Sequence, residues 1–237
     1  LISSIILGLF IFGNYEINKN KKKLGKINEK IFTKIISPNF DLKYGLSERQ
    51  IEERFKKVIK YSDPDKNKET LFIWPEGVFS GYSYEEILIF KDMISKNFSK
   101  KHLIIFGVNK LDPKSGNFYN SMLVVNNNFD IVDSYNKRKL VPFGEFMPFE
   151  NLLSSFGLKK ITEGHGSFIK GNKINNLIVD KLNILPLICY EVIFTGLIQK
   201  SNIDTNLIIN ISEDGWFGKS IGPDQHFAKS IFRAIEN

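Results

Sequence analysis

The sequence predicts an α/β layered fold, with helices packed on the faces of sheets built from short apolar strands. Two observations carry this. Short apolar runs, stopped by Pro, Gly or Asn, alternate with segments whose apolar residues recur at helical spacing. No internal repeat, Gly/Ser linker or low-complexity tract divides the 237 residues after residue 30, so one large domain with its own core is expected. Composition agrees. At 42% hydrophobic and 25% charged, with 17 Gly and 8 Pro, the chain is neither a disordered tail nor a collagen-like repeat.

Taken in order, the chain opens on LISSIILGLFIF, twelve apolar or small uncharged residues. A bilayer needs about 20, and no basic segment precedes the run as in a signal peptide. Residues 1–18 therefore read as the tail of a transmembrane or membrane-associated helix, with a buried core helix as the alternative. A basic linker over 19–29 and a folded domain over 30–237 follow. KIFTKII (30–36) reads as a strand ending at Ser37-Pro38. Residues 47–61 have helical spacing, with Ser47 as N-cap before Ile51, Phe55, Val58 and Ile59. TLFIW (70–74) is a strand stopped by Pro75. Residues 83–98 form a second amphipathic helix, 102–108 another strand, and 112–116 a turn. SMLVVNNNFDIVDSY (121–135) reads as a hairpin around its three Asn. Residues 183–189 and 206–211 are two buried strands, and 191–200 and 225–236 two helices.

The net charge of +7 invites a nucleic-acid partner, but only four of the 33 basic residues are Arg (Arg49, Arg54, Arg138, Arg233), and Arg makes the best bidentate contacts to bases and phosphates. The densest Lys run, 19–26, directly follows the apolar start and fits a membrane surface better than DNA.

In α/β sheets, reactive groups collect at the carboxyl ends of strands. Three such ends stand out: Glu76 after LFIWP, Lys137 after DSYN, and Cys189 after ILPLI. Each has a plain alternative. Glu76 could cap a turn, Lys137 could be a solvated lysine, and Cys189, the only cysteine and so free of any intrachain disulfide, could fill the core. As a set they make chemical sense. A thiol with a pKa of about 8.5 needs a carboxylate to take its proton, an ammonium favours the thiolate, and attack on a carbonyl creates an oxyanion that an ammonium stabilises. The histidines, His102, His165 and His226, are widely separated, and neither a metal-ligand spacing nor a Gly-rich dinucleotide loop is visible.

A Glu-Lys-Cys trio in this order resembles the nitrilase or carbon-nitrogen hydrolase superfamily. FIWPEG (72–77), YNKRKLVPFGEFMPF (135–149), ICYEVIF (188–194) and DGWFGKSIGPDQHFAKSIFRAIEN (214–237) are similar to its apolipoprotein N-acyltransferase family. The K-x-x-LVPFGE segment is far more specific than the bare trio, and the resemblance covers residues 30–237. It implies a nitrilase-like αββα sandwich, with Glu76 as general base, Lys137 as oxyanion stabiliser and Cys189 as nucleophile. Glu145 and Glu191 match further required carboxylates, against the plainer readings of a loop cap and a first-turn helix residue. Tyr190 matches a position that shapes the pocket. Trp216, Phe217 and Gly218 read as structural, with contact to an acyl chain as the alternative.

The implied reaction moves an acyl chain from a phospholipid to the N-terminal amine of a diacylglyceryl-cysteine lipoprotein through a cysteine thioester. No metal and no organic cofactor is implied, and no nucleic acid. The implied location is the bacterial inner membrane, with this domain on the periplasmic side. Three features depart from the resemblance. Tyr44 stands near a family Trp. The chain ends just after RAIE, before further family strands and a closing membrane helix. The Lys-rich flank carries the charge of a cytoplasmic one. A soluble amidase and a truncated, inactive remnant are the competing expectations.

Overall fold

The structure, a computed structural model, describes residues 2–24, 32–43, 45–149, 167–172, 176–179, 181–198 and 205–236. The chain divides into two compact units, Leu1–Phe32 and Thr33–Asn237. The first is helix α1 (Ile2–Leu24), which runs on into the Lys-rich stretch read as linker. No helix of the described residues is long and apolar enough to cross a membrane.

The second unit is built on two sheets. In the first, β1 (Thr33–Ile35), β2 (Thr70–Ile73), β3 (His102–Leu111), β4 (Phe118–Val125) and β5 (Ile131–Asn136) lie in chain order. The pairs β1–β2 and β2–β3 are parallel; β3–β4 and β4–β5 are antiparallel. In the second, β7 (Leu182–Ile188) pairs antiparallel with β6 (Leu177–Val179) and parallel with β8 (Leu207–Ile211).

Side-chain alternation along the strands sorts the core into layers. Phe72, Ile104, Phe106, Leu123 and Val125 pack against Ile51, Phe55, Val58 and Ile59 of α2 (Glu48–Ser62), with Ile87 and Ile94 of α3 (Tyr84–Ile87) and α4 (Lys91–Asn97). Their neighbours Leu71, Ile105, Met122 and Val124 face the other way, onto Leu177, Ile184, Ile188, Ile209 and Ile211 of the second sheet. That sheet's outer face holds Leu185 and Leu187 against Val192 and Leu197, the latter on α5 (Thr195–Ile198). The result is the expected α–β–β–α order. Aromatic rings fill the helix-side layer: Phe55 stacks on Phe79 at 4.2 Å between centroids, and Phe106 on Phe129 at 5.7 Å. Fully burying each such ring contributes about 1.5–3 kcal/mol.

The Ser47 cap is present as a full capping box with Gln50. Several expectations need correcting. The helix over 83–98 is interrupted by a 3₁₀ turn at Leu88–Phe90. The continuous helix over 191–200 is instead a 3₁₀ turn, Cys189–Ile193, then α5, because Phe194 adopts extended backbone (φ −95°, ψ 103°); residues 199–200 lie outside the described residues. Cys189 follows β7 rather than ending it. The last helix, α6 (Gly222–Glu236), starts three residues early and tolerates Pro223 because a first-turn N–H has no intrahelical partner to lose. Strand β6 was not anticipated. Of the predicted first strand only Thr33–Ile35 is seen, residues 30–31 lying outside the described residues together with Tyr44 and His165.

Candidate active site

Glu76 follows β2, and its position depends on a glycine in the neighbouring strand. The N–H of Gly107 on β3 reaches the Pro75 carbonyl at 3.4 Å, and a Cβ at Gly107 would lie 2.6 Å from the Glu76 Cα. Only glycine lets the two backbones approach this closely. Asn120 Nδ2 donates to Glu76 Oε1 at 2.7 Å, and the Glu213 backbone N–H to Oε2 at 3.1 Å.

Lys137 follows β5 and is pinned on both sides of its backbone. Its N–H donates to the Asn120 carbonyl and its own carbonyl accepts from Gly171, both at 2.8 Å. The side chain is buried, with Nζ 2.9 Å from Glu145 Oε1 and 3.6 Å from Glu76 Oε1. Burial alone would pull this ammonium's pKa down. The carboxylates of Glu76 and Glu145 outweigh that and hold it above the ordinary lysine value.

The LVPFGE segment closes on itself around Glu145. The Val141 N–H donates to Glu145 Oε2 and the Glu145 N–H to the Val141 carbonyl, each at 2.8 Å. Phe143 takes a left-handed φ of 61° to make the turn. Asn120 Nδ2 also donates to Glu145 Oε1 at 2.7 Å. One amide thus holds both carboxylates that flank Lys137.

Glu191 is wholly buried and ties two strand ends together. Its Oε1 accepts from Tyr135 Oη at 2.8 Å and from the N–H groups of Arg138 and Lys139 at 2.7 and 3.0 Å; its Oε2 accepts from the Ile188 N–H at 3.0 Å. Burial raises its pKa, and the three backbone bonds with the Tyr135 hydroxyl oppose that rise. The segment carrying Lys137 is thereby fastened to the strand that delivers Cys189.

Cys189 opens the 3₁₀ turn after β7 with a left-handed φ of 49°. Burial and the nearby Glu76 carboxylate push its thiol up to about 12, while Lys137 and a bond from the Ser212 side chain act the other way. A thiol held this high is protonated near neutral pH. The α6 side of the site holds Cys189 by its carbonyl, which lies 3.0 Å from His226 Nε2; His226 Nδ1 lies 2.9 Å from Asp214 Oδ1.

Glu76, Lys137, Glu145, Cys189 and Tyr190 all line one cavity of about 580 Å³. Glu191 stands behind it. Tyr190 packs edge-on against Phe194, with centroids 5.0 Å apart. Trp216 and Phe217, read as structural, are partly exposed and also line the cavity. The glycine beside them, Gly218, sits at φ 54°, ψ −139°, where a side chain would be strained.

Sequence reasoning missed Asn120, Glu213 and the Asp214–His226 pair. Asn120 left a readable signal, a lone amide among the apolar residues of β4. Glu213 left none, since its partner Glu76 lies 137 positions away, and Asp214 and His226 stand in the segment 214–237, which was read only for its resemblance.

The chain spans about two fifths of the length of the curated relatives it matches. It is 33% identical to a protein of Bradyrhizobium diazoefficiens named Apolipoprotein N-acyltransferase, over 86% of this chain and 40% of that protein. It is 35% identical to one of the same name from Wigglesworthia glossinidia brevipalpis, over 85% of this chain and 41% of that protein. Among solved structures, a carbon-nitrogen hydrolase from Helicobacter pylori G27 superimposes with a TM-score of 0.58 at 14% identity, covering 86% of this chain and 69% of that one. The glutamine-dependent NAD+ synthetase of Acinetobacter baumannii superimposes with a TM-score of 0.53 at 20% identity, covering 76% of this chain and 32% of that one. These two share the fold. The carbon-nitrogen hydrolase family profile matches residues 44–237, and the chain belongs to that family.

Proposed function

We propose that the protein transfers an acyl chain from a phospholipid to the N-terminal amine of a diacylglyceryl-cysteine lipoprotein. The observation that carries this is the convergence of Glu76, Lys137 and Cys189 on one cavity, in a chain similar to proteins named Apolipoprotein N-acyltransferase. The names favour acyl transfer over carbon-nitrogen bond hydrolysis.

In the first half-reaction Glu76 takes the Cys189 proton while the sulfur attacks the ester carbonyl. The Lys137 ammonium stabilises the oxyanion, the C–O bond breaks, and the proton passes from Glu76 to the departing lysophospholipid oxygen. In the second half, the acceptor amine attacks the thioester and gives a proton to Glu76. The C–S bond breaks and the thiol is restored. Glu145 keeps Lys137 charged and aimed, Glu191 fixes the strand ends, and Tyr190 shapes the pocket wall. The substrate pair locates the domain at the periplasmic face of the bacterial inner membrane.

Intact-mass analysis of the full-length protein incubated with phospholipid tests this. An acyl adduct on Cys189, released by hydroxylamine and lost in Cys189→Ala, is expected. Adding a diacylglyceryl peptide should discharge it into an amide. An adduct that persists in Cys189→Ala removes the nucleophile assignment, and free fatty acid as the sole product makes the protein a hydrolase.

A further inference from the structure

The proposed nucleophile also belongs to a donor set of a different kind. The Cys189 sulfur, an Asp214 carboxylate oxygen and a His226 ring nitrogen all lie within 4.8 Å of one another. They arrive on three separate elements: the turn after β7, the 3₁₀ turn Asp214–Phe217 after β8, and α6. Sulfur, imidazole and carboxylate together suit a borderline transition metal such as Zn²⁺, whereas Mg²⁺ and Ca²⁺ prefer oxygen alone.

The orientation of His226 is the second observation. A backbone carbonyl has no hydrogen to give, so the 3.0 Å contact with the Cys189 carbonyl puts the proton on Nε2. Imidazoles that ligate metals are commonly held this way, the far nitrogen donating to a carbonyl or carboxylate. Nδ1 then turns its remaining valence toward Asp214 Oδ1 at 2.9 Å, an oxygen that already accepts from Ser212 Oγ at 2.6 Å. A nitrogen lone pair and a carboxylate oxygen that close need a positive centre between them. A divalent metal ion can be that centre.

We propose that Cys189, Asp214 and His226 form a reversible binding site for a divalent transition-metal ion, Zn²⁺ above all, whose occupancy silences the thiol. On binding, the S–H bond breaks and its proton leaves for solvent, and Nδ1 gives up to solvent any hydrogen it donates to Oδ1. Bonds from zinc to Sγ, Nδ1 and a carboxylate oxygen form, and no atom changes oxidation state. A thiolate and a carboxylate balance the two positive charges, and Lys137 keeps its own ion pairs with Glu76 and Glu145. Tetrahedral zinc places its donor atoms about 3.4–3.6 Å apart, so small side-chain rotations close the site. A water from the cavity completes the coordination. Silencing rests on the nucleophile assignment above; metal binding does not.

The test is a Co²⁺ titration of the reduced full-length protein, followed by displacement with Zn²⁺. One equivalent of Co²⁺ should bring a near-ultraviolet thiolate-to-metal charge-transfer band, absent in Cys189→Ala. Asp214→Asn and His226→Asn should each weaken binding at least about tenfold. Cys189→Ala removes only the thiol and keeps the test readable should either of those fail to fold. No charge-transfer band, or an unchanged one in both ligand variants, overturns the site. Phospholipid acylation measured in parallel separates the two ideas. A cobalt band without an acyl adduct leaves the metal site standing and removes the acyltransferase reading; an adduct without a band does the reverse.

Discussion

Asn120→Ala tests whether one amide sets the geometry of the whole site. Its Nδ2 makes two 2.7 Å bonds, one to Glu76 and one to Glu145, and both acceptors are charged. Hydrogen bonds to charged groups contribute about 1.5–3 kcal/mol each, so the pair is worth about 3–6 kcal/mol if nothing replaces it. The two carboxylates fare differently when it goes. Glu145 keeps Lys137 at 2.9 Å and the Val141 N–H at 2.8 Å. Glu76 keeps the Glu213 N–H at 3.1 Å, and its Oε1 is left with Lys137 at 3.6 Å, toward which it should swing. Water from the adjoining cavity can solvate part of the gap, which lowers the expected penalty to about 2–3 kcal/mol. Charged to the acylation barrier through a misplaced base, that is about 30- to 150-fold in rate. The assay is the single-turnover rate of Cys189 acylation by intact mass, with a thermal melt alongside. Acylation within about threefold of wild type, in a protein that melts as wild type does, would refute the reasoning, since the base would then need no amide to aim it.

Three further outcomes follow from the same geometry. Lys137→Met should slow acylation by about 10²–10³, the usual cost of losing an oxyanion donor, with a smaller change in apparent phospholipid affinity; an unchanged rate constant removes its role. The rate of Cys189 alkylation by a small neutral reagent should climb about tenfold per pH unit from pH 7 to 10, because a thiol pushed up to about 12 gains thiolate throughout that range. A plateau near pH 8.5 would show an unperturbed thiol. Phe106→Ala, which empties a wholly buried site between Phe79 and Phe129, should cost about 3–5 kcal/mol in urea denaturation.

Much of the molecule was legible because its signals are local. Ser47 announces a helix start, and the short apolar runs of β2 and β3 announce strands. The strand-end trio could be named because each member comes at the end of a segment read as a strand. What escaped depends on long-range closure. The break at Phe194 follows from the neighbouring Glu191 being held by backbone groups at 138 and 139, about 50 positions earlier, which helical periodicity cannot register. His226 was set aside because no histidine lies near another in sequence, yet the fold carries it to the Cys189 carbonyl. Strand β6, only Leu177–Val179, is too short to show an alternation of its own.

The left-handed backbone at Cys189 also bears on how this domain responds to selection for robustness. An L-residue there costs about 1–2 kcal/mol that glycine would not incur. Selection for heat resistance alone should therefore favour chains that have lost the sulfur, and a screen without an acylation readout would enrich sturdier, inert proteins at this one position.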